Sequence, residues 1–255
     1  MYLSSSEKIT ALIFAACSLI TASNASAQAL KVNLPSAGIA LEYAQPQRLD
    51  QVFTDVIAQK PSPSPVNFPI TNQLFNLEKQ EQTEQFKQQV LKKLAALASV
   101  SGKQKESIGI LIEQIKEWPV GYRESITLDF DEIRLQAKAN PMLSGEYEFI
   151  IPGRSNTVSF EGLLFSPQQV EFQSDQSLND YLRKLNLLSS AHPSYAWVIY
   201  PDGHYIKAGY AYWNNDNTQL TPGSVVFLGY NSDTSEIQNI ETDIVKLIRM
   251  RKGTQ

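Results

Sequence analysis

The stretch 196–230 reads AWVIYPDGHYIKAGYAYWNNDNTQLTPGSVVFLGY, and it contains three segments typical of β strands, separated by two turns. Pro201–Gly203 (PDG) predicts the first turn, because proline fixes φ and glycine accepts a left-handed conformation. Leu220–Gly223 (LTPG) predicts the second turn. The predicted strands are 196–200, 205–213 and 224–230. The stretch therefore predicts a small β sheet, and it contains no catalytic motif.

The composition is that of an ordinary soluble globular protein. The 255 residues are 42% hydrophobic and 19% charged, and the length fits one large domain or two small ones. The formal net charge is −4 at pH 7, and no basic cluster interrupts the acidic balance. Because phosphate binding requires a basic surface, this charge argues against a nucleic-acid partner.

The first 27 residues have the pattern of a secretory signal peptide. An apolar run covers residues 9–20, and Ala25–Ala27 (ASA) supplies a small-residue cleavage site before Gln28. The run is too short to cross a bilayer as a mature helix. The single cysteine, Cys17, lies within it. A lipid anchor at Cys17 is the alternative, because residues 14–17 (FAAC) partly resemble a bacterial lipobox.

Strand and helix patterns follow one another along the rest of the chain. Alternation over residues 30–34 and 39–43 predicts a hairpin, and apolar residues at helical spacing predict a helix over 48–57. A longer helical pattern, rich in Gln and Glu, predicts two helices packed as a hairpin over about 74–118. Strand patterns return over 126–135.

An internal repeat links the two halves of the chain. Leu41–Tyr43 (LEY) followed by Leu49–Phe53 (LDQVF) recurs as Val170–Phe172 (VEF) followed by Leu178–Leu182 (LNDYL), at a constant offset of 129 residues. Each copy has roughly the strand-strand-helix-strand-strand order of a β-grasp domain. The sequence therefore predicts an α+β fold with two tandem β-grasp domains, the first of which carries the helical hairpin as an insertion.

The predicted divisions of the chain follow from these patterns. They are a signal peptide over 1–27, a first β-grasp domain over 28–137 with a helical insertion at about 74–118, a second β-grasp domain over 138–232, and a C-terminal amphipathic helix over 233–255. The second domain is predicted to open with a hairpin of residues 145–152 and 157–164. The apolar stripe of the final helix is predicted to dock on the protein's own domains, and an interface with a membrane or an exporter is the alternative.

Several segments carry a resemblance to a known family: Asn140–Tyr147 (NPMLSGEY), Pro201–Gly203, Ala211–Asn214 (AYWN), and Pro222–Ser224 (PGS) with Leu228–Gly229. They resemble the GfcC (YjbG) family of capsule and exopolysaccharide biosynthesis proteins. The resemblance implies a periplasmic, non-enzymatic accessory protein of polysaccharide assembly and export. It also implies domains similar to the soluble-ligand-binding β-grasp (SLBB) domains of Wza-type outer-membrane exporters. The implied partners are the surface polysaccharide, the exporter or both, with no transmembrane segment in the mature chain.

The same resemblance implies a ligand-binding arginine near the junction of the two domains. Pro119–Arg123 (PVGYR) matches the family's pattern, which makes Arg123 the leading candidate, with Tyr122 beside it. The Arg123 guanidinium suits a carboxylate from an acidic sugar or a neighbouring side chain, and a carbonyl clamp between domains is the alternative. Tyr212 and Trp213 are further candidates, because aromatic rings cover the apolar faces of sugars; burial as sheet core is their alternative.

Catalytic residues are hard to assemble from this sequence. His192 and His204 are predicted to lie in surface loops, and the mature chain has no cysteine to complete a metal site with them. Asp129 and Asp131 are a carboxylate pair of the kind that glycosidases use, but two carboxylates alone identify no activity. We therefore predict no catalytic residue, no metal site and no cofactor, and a polysaccharide-modifying periplasmic enzyme is the alternative function.

Overall fold

The computed structural model describes residues 29–59, 68–100 and 105–253. The described strands are β1 (Leu30–Leu34), β2 (Ile39–Tyr43), β3 (Gln47–Arg48), β4 (Gln73–Asn76), β5 (Tyr122–Arg123), β6 (Met142–Leu143), β7 (Gly145–Ile150), β8 (Thr157–Gly162), β9 (Gln168–Glu171), β10 (Tyr195–Ile199), β11 (Tyr205–Gly209) and β12 (Val225–Leu228). The described α helices are α1 (Leu49–Ala58), α2 (Gln80–Val100), α3 (Lys105–Lys116), α4 (Phe130–Leu135), α5 (Leu178–Leu182) and α6 (Ser235–Arg249). The predicted signal peptide, with Cys17, lies outside these ranges.

The strands form two separate five-stranded sheets that share one strand order. The first sheet has the order β2-β1-β7-β4-β5, and the second has the order β9-β8-β12-β10-β11. One edge of each sheet is an antiparallel hairpin, formed by β1 and β2 in the first sheet and by β8 and β9 in the second. The first strand of each hairpin pairs in parallel with the strand of its sheet that comes last in the sequence, which is β7 or β12. These are the two tandem β-grasp folds predicted from the sequence. We call the first sheet with α1 and α4 the first unit, and the second sheet with α5 the second unit.

The sequence repeat occupies equivalent positions in the two units. Leu49 opens α1 and Leu178 opens α5, each after a hairpin, and both side chains are buried. Helix α1 also buries Val52, Phe53 and Val56, at the spacing that points one face of a helix toward a sheet. The repeat therefore corresponds, in both units, to the start of the helix that follows the first hairpin.

One predicted pairing of strands is wrong. Residues 145–152 and 157–164 do not form a hairpin, because β7 pairs with β1 and β4 in the first sheet, whereas β8 pairs with β9 and β12 in the second. Both strands bury every second residue, so their alternation indicates strand structure without identifying the partner. The two sheets consequently divide between Ile150 and Thr157, beyond the predicted boundary at residue 137.

The strands predicted over residues 126–135 are also absent. The chain forms α4 there, and the Asp129 side chain accepts hydrogen bonds from the backbone N–H groups of Asp131 and Glu132. An aspartate at this position satisfies the free donors at a helix start, and acidic residues in the first turn suit the helix dipole. Capping chemistry therefore outweighs the alternation that suggested a strand.

The helical insertion, which consists of α2 and α3, leaves the first sheet between β4 and β5 and packs on the second unit. It begins later than the predicted residue 74, because residues 73–76 form the buried strand β4. Gln114 of α3 exchanges two hydrogen bonds with the backbone of Gly162, and Lys93 of α2 forms an ion pair with Asp243 of α6. Apolar residues of α2, α3 and α6 join the core of the second unit in one cluster.

Helix α6 docks on the protein's own chain, as predicted. Thr234 caps it, and its apolar stripe is buried: Ile237, Ile240, Ile244, Val245, Leu247 and Ile248. The stripe is thus not an exposed face for a membrane or an exporter. No helix within the described ranges has both the length and the apolar character that spanning a bilayer requires.

Candidate functional site

An open cleft with a volume of about 820 Å³ lies where the two units and α6 meet. This volume is within the range of about 300–1,000 Å³ that is typical of small-molecule sites. We call it the inter-unit cleft. Its lining residues are Pro69, Ile70, Asn72, Arg123–Asp129 and Glu132 from the first unit, Asp202–Tyr205 from the second unit, and Arg249 from α6.

Arg123 lines the cleft and connects the two units. It lies on β5, the edge strand of the first sheet, and its Nη2 donates to the carbonyl oxygens of Pro201 at 2.6 Å and Asn72 at 3.3 Å. Pro201 belongs to the turn between β10 and β11, and Asn72 precedes β4. Arg123 therefore lines the cleft and also forms the carbonyl clamp between the units, which was the alternative role considered from the sequence.

A second arginine stands beside the first. Arg249, in the last turn of α6, donates from Nη2 to the hydroxyl of Ser125. A Cβ atom at Gly203 would stand 3.3 Å from Nε of Arg249 and 3.6 Å from Cζ of Arg123, so the two guanidinium groups flank this glycine. Burial, and secondly the charge of Arg249, lower the pKa of Arg123 to about 10, whereas Asp202 acts in the opposite direction. Arg123 therefore remains charged at neutral pH.

The cleft also contains four carboxylates with spare hydrogen-bonding capacity. In each of them one oxygen accepts from protein donors: Glu124 from Lys79 and Asn76, Asp129 from two backbone N–H groups, Glu132 from Thr127, and Asp202 from the backbone of His204. The other oxygen of each group makes no hydrogen bond within the described residues. The cleft therefore combines fixed guanidinium donors with free carboxylate acceptors.

Tyr122 does not line the cleft, although it adjoins Arg123 in the sequence. Neighbouring residues of a strand point to opposite faces of the sheet. The Tyr122 ring instead faces the ammonium group of Lys79, which lies 4.4 Å from the ring centroid. Of the residue pair predicted from the sequence, the structure brings only Arg123 to the cleft.

Tyr212 and Trp213 lie at the other end of the β10–β11 hairpin from Arg123. The Arg123 contact is at Pro201, before β11, whereas these aromatics follow Gly209, where β11 ends. Five residues of strand correspond to about 17 Å. The side chains are 95% and 74% exposed. They therefore do not belong to the sheet core, and they form a surface separate from the cleft.

The loop that carries these aromatics is firmly held, which also explains why β11 stops short of the predicted residue 213. The carboxylate of Asp216 accepts from the backbone N–H of Gly209, and the Asn214 side chain accepts from Ala211 and donates to the carbonyl oxygen of Ser194. A Cβ atom at Gly209 would overlap the carbonyl oxygen of Asn214, so this turn requires glycine.

The two histidines have different surroundings. His204 is exposed, as predicted, and it stacks on Tyr200 at the rim of the cleft. His192 is buried, which contradicts its predicted surface position, and its Nδ1 accepts from the backbone N–H groups of Ser194 and Tyr195. The backbone turn that closes over this ring gives no signal in the sequence. Within the described residues, no group of His, Cys, Asp and Glu side chains is arranged to hold a metal ion.

Arg249 is the basic cleft residue that sequence reasoning missed. In the sequence it is one of several basic residues at the end of α6, where a basic side chain is sufficiently explained by the helix dipole. Only the packing of α6 against both units brings it to the cleft. Its separation from Arg123 by more than a hundred residues leaves no local pattern by which it could be found.

Comparison with known proteins finds matches over most of the chain. Residues 26–153 match the family model "Capsule biosynthesis GfcC, N-terminal", and residues 166–252 match "Capsule biosynthesis GfcC C-terminal". The chain is also 36% identical over 147 residues to the Escherichia coli (strain K12) protein named "Uncharacterized protein YjbG". That alignment covers 57% of this chain and 60% of the relative, which is less than two thirds of the relative's length.

Proposed function

Because the chain belongs to the GfcC family of capsule biosynthesis proteins, we propose that it is a non-enzymatic accessory protein of capsule or exopolysaccharide assembly and export. We further propose that it acts in the periplasm after export by its signal peptide, and that it binds the polysaccharide in the inter-unit cleft. The observation that carries the binding proposal is the combination of free donors and acceptors in an open cleft.

The lining of the cleft suits a glycan better than an apolar ligand. Sugar hydroxyl groups both donate and accept hydrogen bonds, and the unused carboxylate oxygens and the guanidinium groups supply the matching partners. Ile70 and Tyr205 add apolar surface for the C–H faces of a sugar ring. Binding by many moderate contacts in an open cleft fits a protein that holds a polymer and releases it.

A binding role also fits the positions of the carboxylates considered for catalysis. Asp129 lines the cleft but commits one oxygen to the start of α4, and Asp131 is not a lining residue. The pair is therefore split between two surroundings. We expect polysaccharide fragments to keep their mass after prolonged incubation with the protein, and a change of mass would favour the alternative of a polysaccharide-modifying enzyme.

The experiment that tests cleft binding blocks the cleft without removing a buried contact. Ile70 lines the cleft and is 46% exposed, so Ile70→Trp narrows it from an exposed position. Leu135→Trp is the matched control, because Leu135 is 84% exposed and lies outside the cleft. We expect Ile70→Trp to weaken binding of surface-polymer fragments at least tenfold in calorimetry and to lower surface polymer in a complemented deletion strain. Equal binding by the two variants would contradict the cleft as the site.

Docking to the export machinery is a second candidate function, and the exposure of Tyr212 and Trp213 favours it. Large aromatic side chains on a firmly held loop are typical anchors of protein interfaces. We expect the double variant Tyr212→Ser and Trp213→Ser to keep its fragment affinity and to lose co-purification of the outer-membrane exporter from cross-linked cells. Unchanged co-purification would remove this surface from the proposal.

A further inference from the structure

The charged side chains of the inter-unit cleft are two arginines and four carboxylates. Arg123 and Arg249 flank Gly203, where the turn of the second unit meets the first unit. Asp129 and Glu132 belong to the start of α4, on the first-unit side of the cleft. A ligand that fills the cleft therefore meets both guanidinium groups and acceptor oxygens.

The two arginines differ from other basic residues near the junction of the units. Arg251 pairs with Glu161, and Lys252 pairs with Glu148. Neither Arg123 nor Arg249 has a carboxylate within 4.0 Å among the residues that the structure describes, because their hydrogen bonds go to two carbonyl groups and one hydroxyl. Two like charges thus stand together without an ion pair, an arrangement that favours the binding of an anion.

Asp202 partly offsets the charge of Arg123, but no acidic residue of the cleft forms an ion pair with either arginine within the described residues. The nearest acidic residue in the sequence, Asp202, uses one oxygen to accept from the backbone N–H of His204 and forms no ion pair with either arginine. Glu124 is paired with Lys79 at 3.3 Å. The carboxylates of Asp129 and Glu132 cap and brace α4. Their combined charge repels a densely charged anion such as a polyphosphate, while their free oxygens accept hydrogen bonds from hydroxyl groups.

We propose that the inter-unit cleft selects an acidic sugar residue of the polysaccharide, whose carboxylate binds the guanidinium of Arg249, while Arg123 fixes the adjoining turn and adds its charge. This inference rests on the proposed glycan binding and names the chemical class of the bound residue. Arg249 is the contacting group, because its one hydrogen bond goes to an exposed hydroxyl, whereas Arg123 is held by two carbonyl oxygens in a part-buried position. A planar fork of N–H donors matches a carboxylate in two-point geometry. The rest of the sugar, which carries hydroxyl groups, faces the free carboxylate oxygens.

The experiment compares fragments of the host's surface polymer before and after chemical reduction of their carboxylates to primary alcohols. Calorimetry with the full chain measures both affinities for the wild type, for Arg249→Gln and for the control Arg183→Gln, whose exposed side chain lies outside the cleft. We expect reduction to raise the dissociation constant of the wild type at least tenfold. We expect Arg249→Gln to bind both fragments with the lower affinity, and Arg183→Gln to behave as the wild type.

The outcomes separate this inference from the function on which it rests. If neither fragment binds the wild type, the proposed glycan binding fails. If both fragments bind it equally, glycan binding stands and carboxylate selection is overturned. A fold defect in Arg249→Gln would weaken both affinities, so Ser125→Ala, which frees the guanidinium but keeps its charge, provides the second variant. We expect the Ser125→Ala variant to bind the unreduced fragment more tightly than the reduced one. Equal affinities of this variant for the two fragments would contradict the role of the Arg249 charge.

Discussion

The two β-grasp units have the same strand order but complete their cores differently. The first unit has its own cluster of buried residues, to which β1, β4, β7, α1 and α4 contribute. The core of the second unit instead continues into α2, α3 and α6. Strand β12, with all four side chains buried, shows that both faces of the second sheet are covered. A repeated topology thus leaves open which elements cover each sheet.

The helical insertion therefore belongs to the first unit by its position in the sequence and to the second unit by its packing. It emerges from the first sheet between β4 and β5, but its buried residues, such as Leu94 and Leu111, lie in the cluster of the second unit. The insertion therefore links the units, and the cleft lies beside that link. Three predictions test the comparison, in order of decreasing effect.

The largest effect is expected from truncating the shared core. Leu111→Ala removes a fully buried side chain of α3, and such a substitution lowers the free energy of unfolding by about 2–5 kcal/mol. Urea unfolding of the full chain measures this loss, and amide exchange locates it. We expect faster exchange in β8 to β12, although Leu111 lies within the insertion of the first unit. Lys92→Ala, an exposed change on α2, is the control, and acceleration confined to the first sheet would contradict the comparison.

An intermediate effect is expected at the junction that follows α6. Arg251 is 4% exposed, and its Nη1 lies 2.8 Å and 2.7 Å from the two carboxylate oxygens of Glu161 on β8. Arg251→Ala leaves that carboxylate buried without its partner, which costs about 3 kcal/mol in the free energy of unfolding. Lys116→Ala breaks the exposed ion pair with Glu113 and should cost less than about 1 kcal/mol. Similar costs for the two variants in urea unfolding would refute the proposed importance of the junction.

The smallest effect is expected to be a pH dependence of the free energy of unfolding that arises in the second unit. Burial raises the pKa of Glu241, while hydrogen bonds from Trp197 and the backbone of Tyr230 oppose the shift. A carboxyl group whose folded pKa is raised contributes most stability below its ordinary value of 4.5, and this contribution is lost as the pH rises through the folded pKa.

The measurement is urea unfolding of the wild type and Glu241→Gln from pH 4 to pH 8. The stability of the wild type relative to the variant should fall as the pH rises above 4.5. The buried polar residues of the first sheet and its entry, Asn72, Gln73 and Asn76, are uncharged, so no comparable trend is expected there. A difference that stays constant or grows with pH would show that Glu241 is not the group responsible.

Much of the fold was predictable from the sequence because its signals are local. Hairpins, helix stripes and turn residues identified both β-grasp units, the helical insertion and the docked α6. The errors concern choices that local patterns do not determine. Strands β7 and β8 alternate alike but join different sheets, and Asp129 turns an alternating segment into a helix start. Which strands pair with one another depends on the folding of the whole chain.

The candidate site was predictable only in part. The family pattern indicated Arg123, and the structure places it in the cleft, but its bonds to two carbonyl groups depend on a turn in the other unit. Tyr212 and Trp213 follow a strand that appeared longer than it is, so their distance from Arg123 was not foreseen. Arg249 reaches the cleft through packing alone, which no spacing in the sequence records.

The parallel pairing of first and last strands has a consequence for the order of folding. In the first sheet Leu30 pairs with Gly145, whereas in the second sheet Ser159 pairs with Val225, a much shorter separation along the chain. Closing the longer loop costs more chain entropy, and high contact order slows folding. We expect pulsed amide labelling during refolding to find protection in β8 to β12 before β1 and β7. The second unit, with the docked insertion, would then serve as the template on which the two distant halves of the first sheet are joined.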